Sequence, residues 1–236
     1  MLAATADRPS SQPEQLLFAF PVASASGRDD FLVGAGNEDA LALVDAWPDW
    51  PAPVNLIVGA PGSGKSHLVD IWAARAEALV GRDRFLAGDV LDALSAGRPV
   101  ALELGDAVGL DETGLFHILN AARQTAAGLL LTARRDVTRW PLSVPDLISR
   151  MRALPPVVLG APDEIMMQQI MVKLFADRQT AIDASVLSYA VMRLERSFRA
   201  ANLFVHHCDE IALRLGRKIT KQVAAEALRT LDKTDM

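Results

Sequence analysis

The chain has 236 residues, half of them hydrophobic, and a formal net charge of −5. This length allows one domain of ordinary size or two small ones, and the negative charge argues against sequence-independent DNA binding, which needs many lysine and arginine contacts to phosphates. The single cysteine, Cys208, excludes an internal disulfide and favours the cytoplasm. No apolar run approaches the roughly 20 residues of a membrane span, so we expect no membrane contact.

The N-terminal segment 1–28 is predicted to be a flexible tail with one short apolar motif. Residues 1–14 are mostly small and polar, QLLFAF follows at residues 15–20, and a linker-like stretch leads to the first helix. Gln15 can hydrogen-bond at the rim of a pocket that Leu16, Phe18 and Phe20 fill. The motif therefore predicts a docking peptide. The alternative is that it packs on the protein's own core or forms an edge strand.

Between residues 29 and 160, short apolar strands alternate with helices. Strands are predicted at VNLIVG, PVALEL, GLLLTA and PVVLG, and helices at residues 37–47, 66–79, 114–126 and 144–154. Alternation of this kind is typical of an α/β fold with a parallel sheet. This region is therefore predicted to form an α/β base.

After Gly160 the pattern becomes entirely helical, and residues 161–236 are predicted to form a small C-terminal lid. Asp163 and Asp183 are expected to cap its first two helices and Thr220 its last, while Gly216 is expected to end the third. The predicted organisation is a flexible tail (1–28), an α/β base (29–160) and an all-helical lid (161–236).

The stretch GAPGSGKS fits the pattern G-x-x-x-x-G-K-[ST] between a predicted strand and a predicted helix. Glycines let the backbone turn tightly and direct N–H groups at phosphate oxygens, Lys65 adds a positive charge, and Ser66 offers a hydroxyl to Mg²⁺. An ordinary glycine-rich turn is the alternative. The predicted ligands are ADP or ATP with Mg²⁺, held by Gly59, Ala60, Pro61, Gly62, Ser63, Gly64, Lys65 and Ser66.

Nucleotide hydrolysis also needs acidic side chains at the end of a neighbouring strand. The candidate is ALELGDA, in which Gly105 takes the first acidic position and Asp106 the second. Glu103 lies one alternation back along the strand, so it either leans into the space left by Gly105 or is paired elsewhere. We therefore expect nucleotide binding with weak or no intrinsic ATPase activity, and Asp106 is the candidate catalytic acid.

The chain resembles the AAA+ family and, more narrowly, the DnaA-related regulators of the Hda type. The resemblance covers nearly the whole chain and is carried by FLVGAGNEDALALV, GSGKSHL, LFHILNAARQ, LLLTARRDVTRWPLSVPDLISRM and RLERSFRAANLFVHHCDEIA. It implies a P-loop base with a parallel sheet and a helical lid.

Several residue roles are implied by the resemblance alone. Asn37 and His67 would lie at the nucleotide, Thr132 would be sensor one, and Arg199 would be sensor two, touching the nucleotide from the lid. Arg150 matches the arginine finger, which reaches the γ-phosphate held by a neighbouring subunit. The alternatives are a surface arginine after a short helix for Arg150 and a solvated helix face for Arg199.

The resemblance further implies that residues 15–20 bind the bacterial sliding clamp, the β subunit of DNA polymerase III. Docked on the DNA-loaded clamp, the protein would present Arg150 to the ATP bound by the replication initiator DnaA, and its hydrolysis would prevent repeated initiation. DNA would be contacted only through the clamp, and the protein could form a homodimer. The alternatives are a stand-alone AAA+ ATPase such as a helicase loader, and a clamp-binding adaptor with a structural nucleotide site.

Overall fold

The computed structural model describes residues 27–82 and 85–234, and for residues 232–234 only the backbone. The strands of this part are Val54–Gly59 (β1), Leu79–Arg82 (β2), Val100–Glu103 (β3), Leu129–Ala133 (β4) and Pro156–Leu159 (β5). Its α-helices are Glu38–Asp45 (α1), Lys65–Ala76 (α2), Ala87–Ser95 (α3), Glu112–Thr125 (α4), Pro145–Arg152 (α5), Glu164–Asp177 (α6), Ala184–Val191 (α7), Phe198–Leu215 (α8) and Lys221–Thr234 (α9). Short 3-10 helices lie at Arg28–Asp30 and Val137–Arg139.

The five strands form one parallel sheet in the order β2-β3-β4-β1-β5. β1, β3, β4 and β5 coincide with the four predicted strands, and the predicted α/β fold with a parallel sheet is confirmed. β1 lies inside the sheet, between β4 and β5. Because all strands are parallel, the loop that follows β1 leaves the sheet at its carboxyl edge. Ligands of open parallel sheets bind at this edge.

The sequence analysis missed β2 and α3 and extended α2 too far. α2 ends at Ala76, because Glu77 takes a left-handed conformation with φ 50°, and Leu79 already belongs to β2. β2 is only four residues long, includes Gly81 and lies at the edge of the sheet with no buried residue. It therefore lacks the continuous apolar run by which buried parallel strands are recognised.

The two faces of the sheet build two separate layers of core. Leu56, Leu102 and Leu131 pack with α3, α4 and α5 on one face. Ile57, Ala101 and Leu130 pack with α1 and α2 on the other. Successive strand residues point to opposite faces, so covering both faces with helices buries all of β4 and all but one residue each of β1 and β3. Each fully buried Leu or Ile contributes about 1.5–3 kcal/mol.

The last four helices enclose a core of their own. Met167, Phe175, Phe204 and Cys208 are among its buried residues, and the rings of Phe175 and Phe204 meet edge to face at 6.5 Å. The domain boundaries at residues 28 and 160 stay a prediction. Among the described helices, none combines the length and hydropathy that crossing a lipid bilayer requires.

The predicted helix ends of the lid are largely as expected. The side chain of Asp163 accepts a hydrogen bond from the Met166 amide at 2.7 Å, and Gly216 ends α8 in a left-handed conformation. Thr220 Oγ1 accepts a long hydrogen bond from the Val223 amide at 3.4 Å. The prediction for Asp183 was wrong in its detail: the residue precedes α7, but its side chain makes no capping hydrogen bond.

Candidate nucleotide site

The predicted phosphate loop connects the end of β1 to the start of α2. Gly59 is the last residue of β1 and Lys65 the first of α2. Gly62 and Gly64 have φ of 72° and 102°, a region in which a Cβ atom would be strained. The two glycines therefore permit the turn that places the loop at the N-terminus of α2, where free amides favour anions.

Lys65 folds back over its own loop. Its Nζ donates to the carbonyl oxygens of Gly59 at 2.6 Å and Ala60 at 2.8 Å, and in the described residues it has no ion-pair partner. Burial, and next the positive charge of Arg134, hold the pKa of Lys65 below its ordinary value. A bound phosphate would supply the missing anion.

Ser66 is joined to the neighbouring strand by a short hydrogen bond. Its Oγ donates to Glu103 Oε2 at 2.6 Å, and Arg82 Nε donates to the other carboxylate oxygen, Oε1, at 2.7 Å. Arg82 also pairs with Asp70 on α2. Of the two alternatives that the sequence left open, Glu103 follows the second: it is paired with Arg82 and bonded to Ser66, and it does not fill the space beside Gly105.

The second acidic position carries arginines as well. Asp106 forms ion pairs with Arg134 at 3.0 Å and Arg135 at 3.1 Å. Gly105 has φ 56°, and a Cβ built on it meets no atom within 4 Å, so the expected first acid is simply missing from that space.

These residues do not fit the magnesium site that the sequence predicted around Ser66. The first acidic position supplies no carboxylate, and Glu103 and Asp106 each already hold a guanidinium. Within residues 27–82 and 85–231, no group of three or more His, Cys, Asp and Glu side chains could hold a metal ion.

The N-terminus of α8 rests directly on the phosphate loop. The Phe198 amide donates to the Gly62 carbonyl at 2.9 Å, and a Cβ on Gly62 would lie 2.9 Å from the Arg199 Cβ. Arg199 itself is exposed and makes no hydrogen bond or ion pair with the described residues. Its guanidinium is therefore free to meet a ligand on the loop.

Asn37 is buried and uses its side chain within its own segment. Its Oδ1 accepts from the Gly34 amide at 2.9 Å and its Nδ2 donates to the Leu32 carbonyl at 2.8 Å. Beside it, the Gly160 amide donates to the Gly36 carbonyl at 2.8 Å. Asn37 thus shapes the loop before α1, and its place at a nucleotide stays a prediction.

His67 lies at a cavity of about 230 Å³ between α2, α6 and α8. Its ring meets the edge of Phe31 at 5.2 Å, and its buried Nε2 has no hydrogen-bond partner among the described residues. Lys173 and Asn202 also line this cavity. A buried nitrogen without a partner is costly, which favours a ligand or water beside His67.

Thr132 and Arg150 lie at different places on the base. Thr132 is buried in β4, in register with Glu103 of β3 and Ile57 of β1. Arg150 is in the last turn of α5, with its guanidinium carbon 4.9 Å from the centre of the Phe116 ring. Arg150 is partly exposed, and in the described chain no hydrogen bond or ion pair joins it to its own phosphate loop.

Sequence reasoning missed Arg82, Asp70 and Arg135. Arg82 ends the strand that was not predicted, and in the sheet it stands opposite Glu103. Only a prediction of β2 as a parallel neighbour of β3 could have brought the two side chains together. The tail residues Gln15, Leu16, Phe18 and Phe20 lie outside the described residues.

A comparison with protein-family models gave no match, and neither did a comparison with curated proteins. The chain is similar to the solved domain III of the replication initiation protein DnaA from Thermotoga maritima, with 18% identity, 89% of this chain and 98% of that chain covered, and a TM-score of 0.71. The RuvB Holliday junction branch migration motor of the same organism is 15% identical, with 87% of this chain and 72% of that chain covered and a TM-score of 0.67. AMPPCP-bound DnaA from Aquifex aeolicus is 18% identical, with 88% of this chain and 68% of that chain covered and a TM-score of 0.63. At these identities the likeness establishes the fold alone: the chain has the fold of DnaA domain III and of RuvB.

Proposed function

We propose that the protein binds ADP or ATP at residues 59–66. Three observations support this: the ammonium of Lys65 lacks an anionic partner in the described chain, the α2 N-terminus opens at the same point, and the exposed Arg199 approaches from α8. A similar fold carries AMPPCP in the Aquifex DnaA structure. Mg²⁺ at Ser66 stays a prediction, and the arginine-paired acids argue that it has little part in binding.

We further propose that the protein is a DnaA-related regulator of the Hda type. In this proposal it presents Arg150 to ATP held by the initiator DnaA, stimulates its hydrolysis and thereby restrains replication initiation. The observation that carries this proposal is the state of Arg150, which is partly exposed, has no ion pair with residues 27–82 and 85–231, and lies over the Phe116 ring of α4. A guanidinium in this state can enter a neighbour's site and stabilise the charge that develops on a transferred phosphoryl group.

The partners of this proposal rest on the sequence. Residues 15–20 would dock on the DNA-loaded sliding clamp, so that DNA is reached only through the clamp. A homodimer and a cytoplasmic location belong to the same proposal.

The decisive experiment measures the conversion of DnaA-bound ATP to ADP with DNA-loaded clamp present. Arg150→Ala should lower the stimulation by about 10³-fold or more and leave clamp binding unchanged, because it removes the charge and not the docking peptide. Arg152→Ala is the matched control, since Arg152 is exposed in the same turn of α5 and also unpaired in the described chain. Full stimulation by Arg150→Ala would refute the mechanism.

A second experiment tests the tail. Replacing Gln15 and Leu16 by alanine should abolish clamp binding and leave nucleotide binding intact. Unchanged clamp binding would show that the motif has another role, such as packing on the protein's own core.

A stand-alone AAA+ ATPase, such as a helicase loader, is the alternative function. Brisk ATP hydrolysis by the isolated protein, lost in Asp106→Ala, would favour it. The ion pairs of Asp106 with Arg134 and Arg135 speak against this, because both carboxylate oxygens are already engaged with guanidinium groups and are not free to position water.

A further inference from the structure

Arg82 places a permanent positive charge beside the phosphate loop. Its Nε donates to Glu103 Oε1 at 2.7 Å, and the opposite oxygen of the same carboxylate accepts from Ser66 in the first turn of α2. A single carboxylate therefore connects Arg82 to the residue that follows Lys65. Arg82 has no part in the function proposed above.

The sheet itself aligns this pair. Arg82 of β2 and Glu103 of β3 are register partners, so their side chains leave the sheet on the same face. Asp70, one turn after Ser66 on α2, accepts from a second nitrogen of the guanidinium and so fixes Arg82 beside the first turns of this helix. Hydrogen bonding to Glu103, the main cause, and to Asp70 raises the pKa of Arg82 further, so it stays charged at every pH of interest.

An acid at this position would otherwise oppose nucleotide binding. The Glu103 side chain is only 17% exposed and touches Ser66, so its negative charge acts close to the point where phosphates would bind. Without a cation it would repel them. P-loop sites usually neutralise this region with a divalent metal ion, but here both candidate acids already hold arginines.

We propose that Arg82 is the resident counter-cation of Glu103, so that this site binds nucleotide with little dependence on Mg²⁺. The inference rests on the proposed binding of ADP or ATP at residues 59–66 and specifies how that site is neutralised. It also separates binding from hydrolysis, because a site that retains nucleotide without metal suits a regulator better than an ATPase.

The Arg82 pair can be removed without unfolding the protein. The Arg82 side chain is 47% exposed and the Asp70 side chain 40%, and ion pairs exposed to this degree contribute only about 0–1 kcal/mol to folding. Glu103 is less exposed, but it keeps its hydrogen bond from Ser66 when Arg82 is replaced. Loss of the pair should therefore change the electrostatics of the site far more than the free energy of unfolding.

The test measures the affinity of the full chain for a fluorescent ADP analogue in excess Mg²⁺ and in excess EDTA. Wild type should give affinities equal within about threefold in the two buffers. Arg82→Gln should lose about tenfold or more in EDTA and recover in Mg²⁺, because Glu103 is then left uncompensated. Glu103→Gln should bind at least as tightly as wild type in EDTA, because the charge of Arg82 is then left free, and the double variant Arg82→Gln/Glu103→Gln should recover the affinity that Arg82→Gln loses in EDTA.

Arg28→Gln is the matched control, since it removes a comparably exposed ion pair, with Asp45, outside the phosphate loop. It should leave the ratio of the two affinities unchanged. Two results would overturn the inference and leave the proposed nucleotide site standing. One is a wild-type affinity that falls more than about tenfold in EDTA, and the other is a ratio of the affinities in Mg²⁺ and EDTA that is the same for Arg82→Gln as for wild type. Absence of binding in both buffers would overturn both proposals.

Discussion

Lys65 is the residue whose ionisation should be most visible in nucleotide binding. Burial and the nearby Arg134 lower the pKa of its amine in the free protein, and a bound phosphate must raise it again. A group whose pKa rises on binding must take up a proton together with the ligand, once the pH exceeds the pKa that the group has in the free protein. Affinity is therefore independent of pH below that point and falls above it.

We expect the affinity for ADP to fall by up to about tenfold per pH unit on the alkaline side, beginning below the ordinary lysine pKa of 10.5. Isothermal titration calorimetry from neutral to alkaline pH measures this. Lys65→Arg is the control: it should bind more weakly but with a flat profile, because a guanidinium does not titrate in this range. An equally steep fall in both proteins would assign the effect to another group.

At the scale of elements, the contact between the phosphate loop and α8 depends on Gly62. Its φ of 72° and its approach to Arg199 both exclude a side chain. Gly97, after α3, has nearly the same φ of 74°, but a Cβ built there meets no atom within 4 Å. The two glycines therefore separate the cost of backbone strain from the cost of displacing the helix.

We expect Gly97→Ala to lower the free energy of unfolding by about 1–2 kcal/mol through left-handed strain alone. Gly62→Ala should lower the free energy of unfolding by about 1–3 kcal/mol more than Gly97→Ala does, because α8 must also move away from the loop. Urea unfolding measures both values, and only Gly62→Ala should also weaken ADP binding. Equal losses in the two variants would mean that the loop and α8 are not in firm contact.

For the whole molecule, nucleotide binding should stabilise base and lid together. The loop belongs to the sheet and Arg199 to α8, so a ligand that touches both favours the closed arrangement of two separately packed cores. At 100 times the dissociation constant a ligand adds about 2.7 kcal/mol to stability. For a chain of this size that corresponds to a rise in Tm of about 5–11 °C.

Differential scanning calorimetry with saturating ADP measures this shift. Lys65→Ala is the control and should show no rise in Tm, because it lacks the charge that holds the phosphates. A rise of the same size in Lys65→Ala would place the nucleotide elsewhere on the molecule.

The sequence was sufficient wherever the deciding interactions are local. The residues of the phosphate loop lie within one short segment, and the positive φ angles of Gly62 and Gly64 require a residue type that can be read directly from the chain. The three inner strands β1, β3 and β4 were also predictable, because burial on both faces demands an apolar run. The caps of α6 and α8 follow the same local logic.

Only the tertiary structure decided what surrounds the loop. Ser66 and Glu103 are 37 positions apart, and Arg82 and Glu103 are 21 apart, so no local pattern connects them. They meet because β2 pairs in register beside β3, and the side chains of an edge strand need not be apolar. The sequence by itself thus determined an α/β fold with a parallel sheet and a glycine-rich loop between β1 and α2. The charge balance of its site was decided by strand pairing, because electrostatic contacts depend on distance in space and not on separation along the chain.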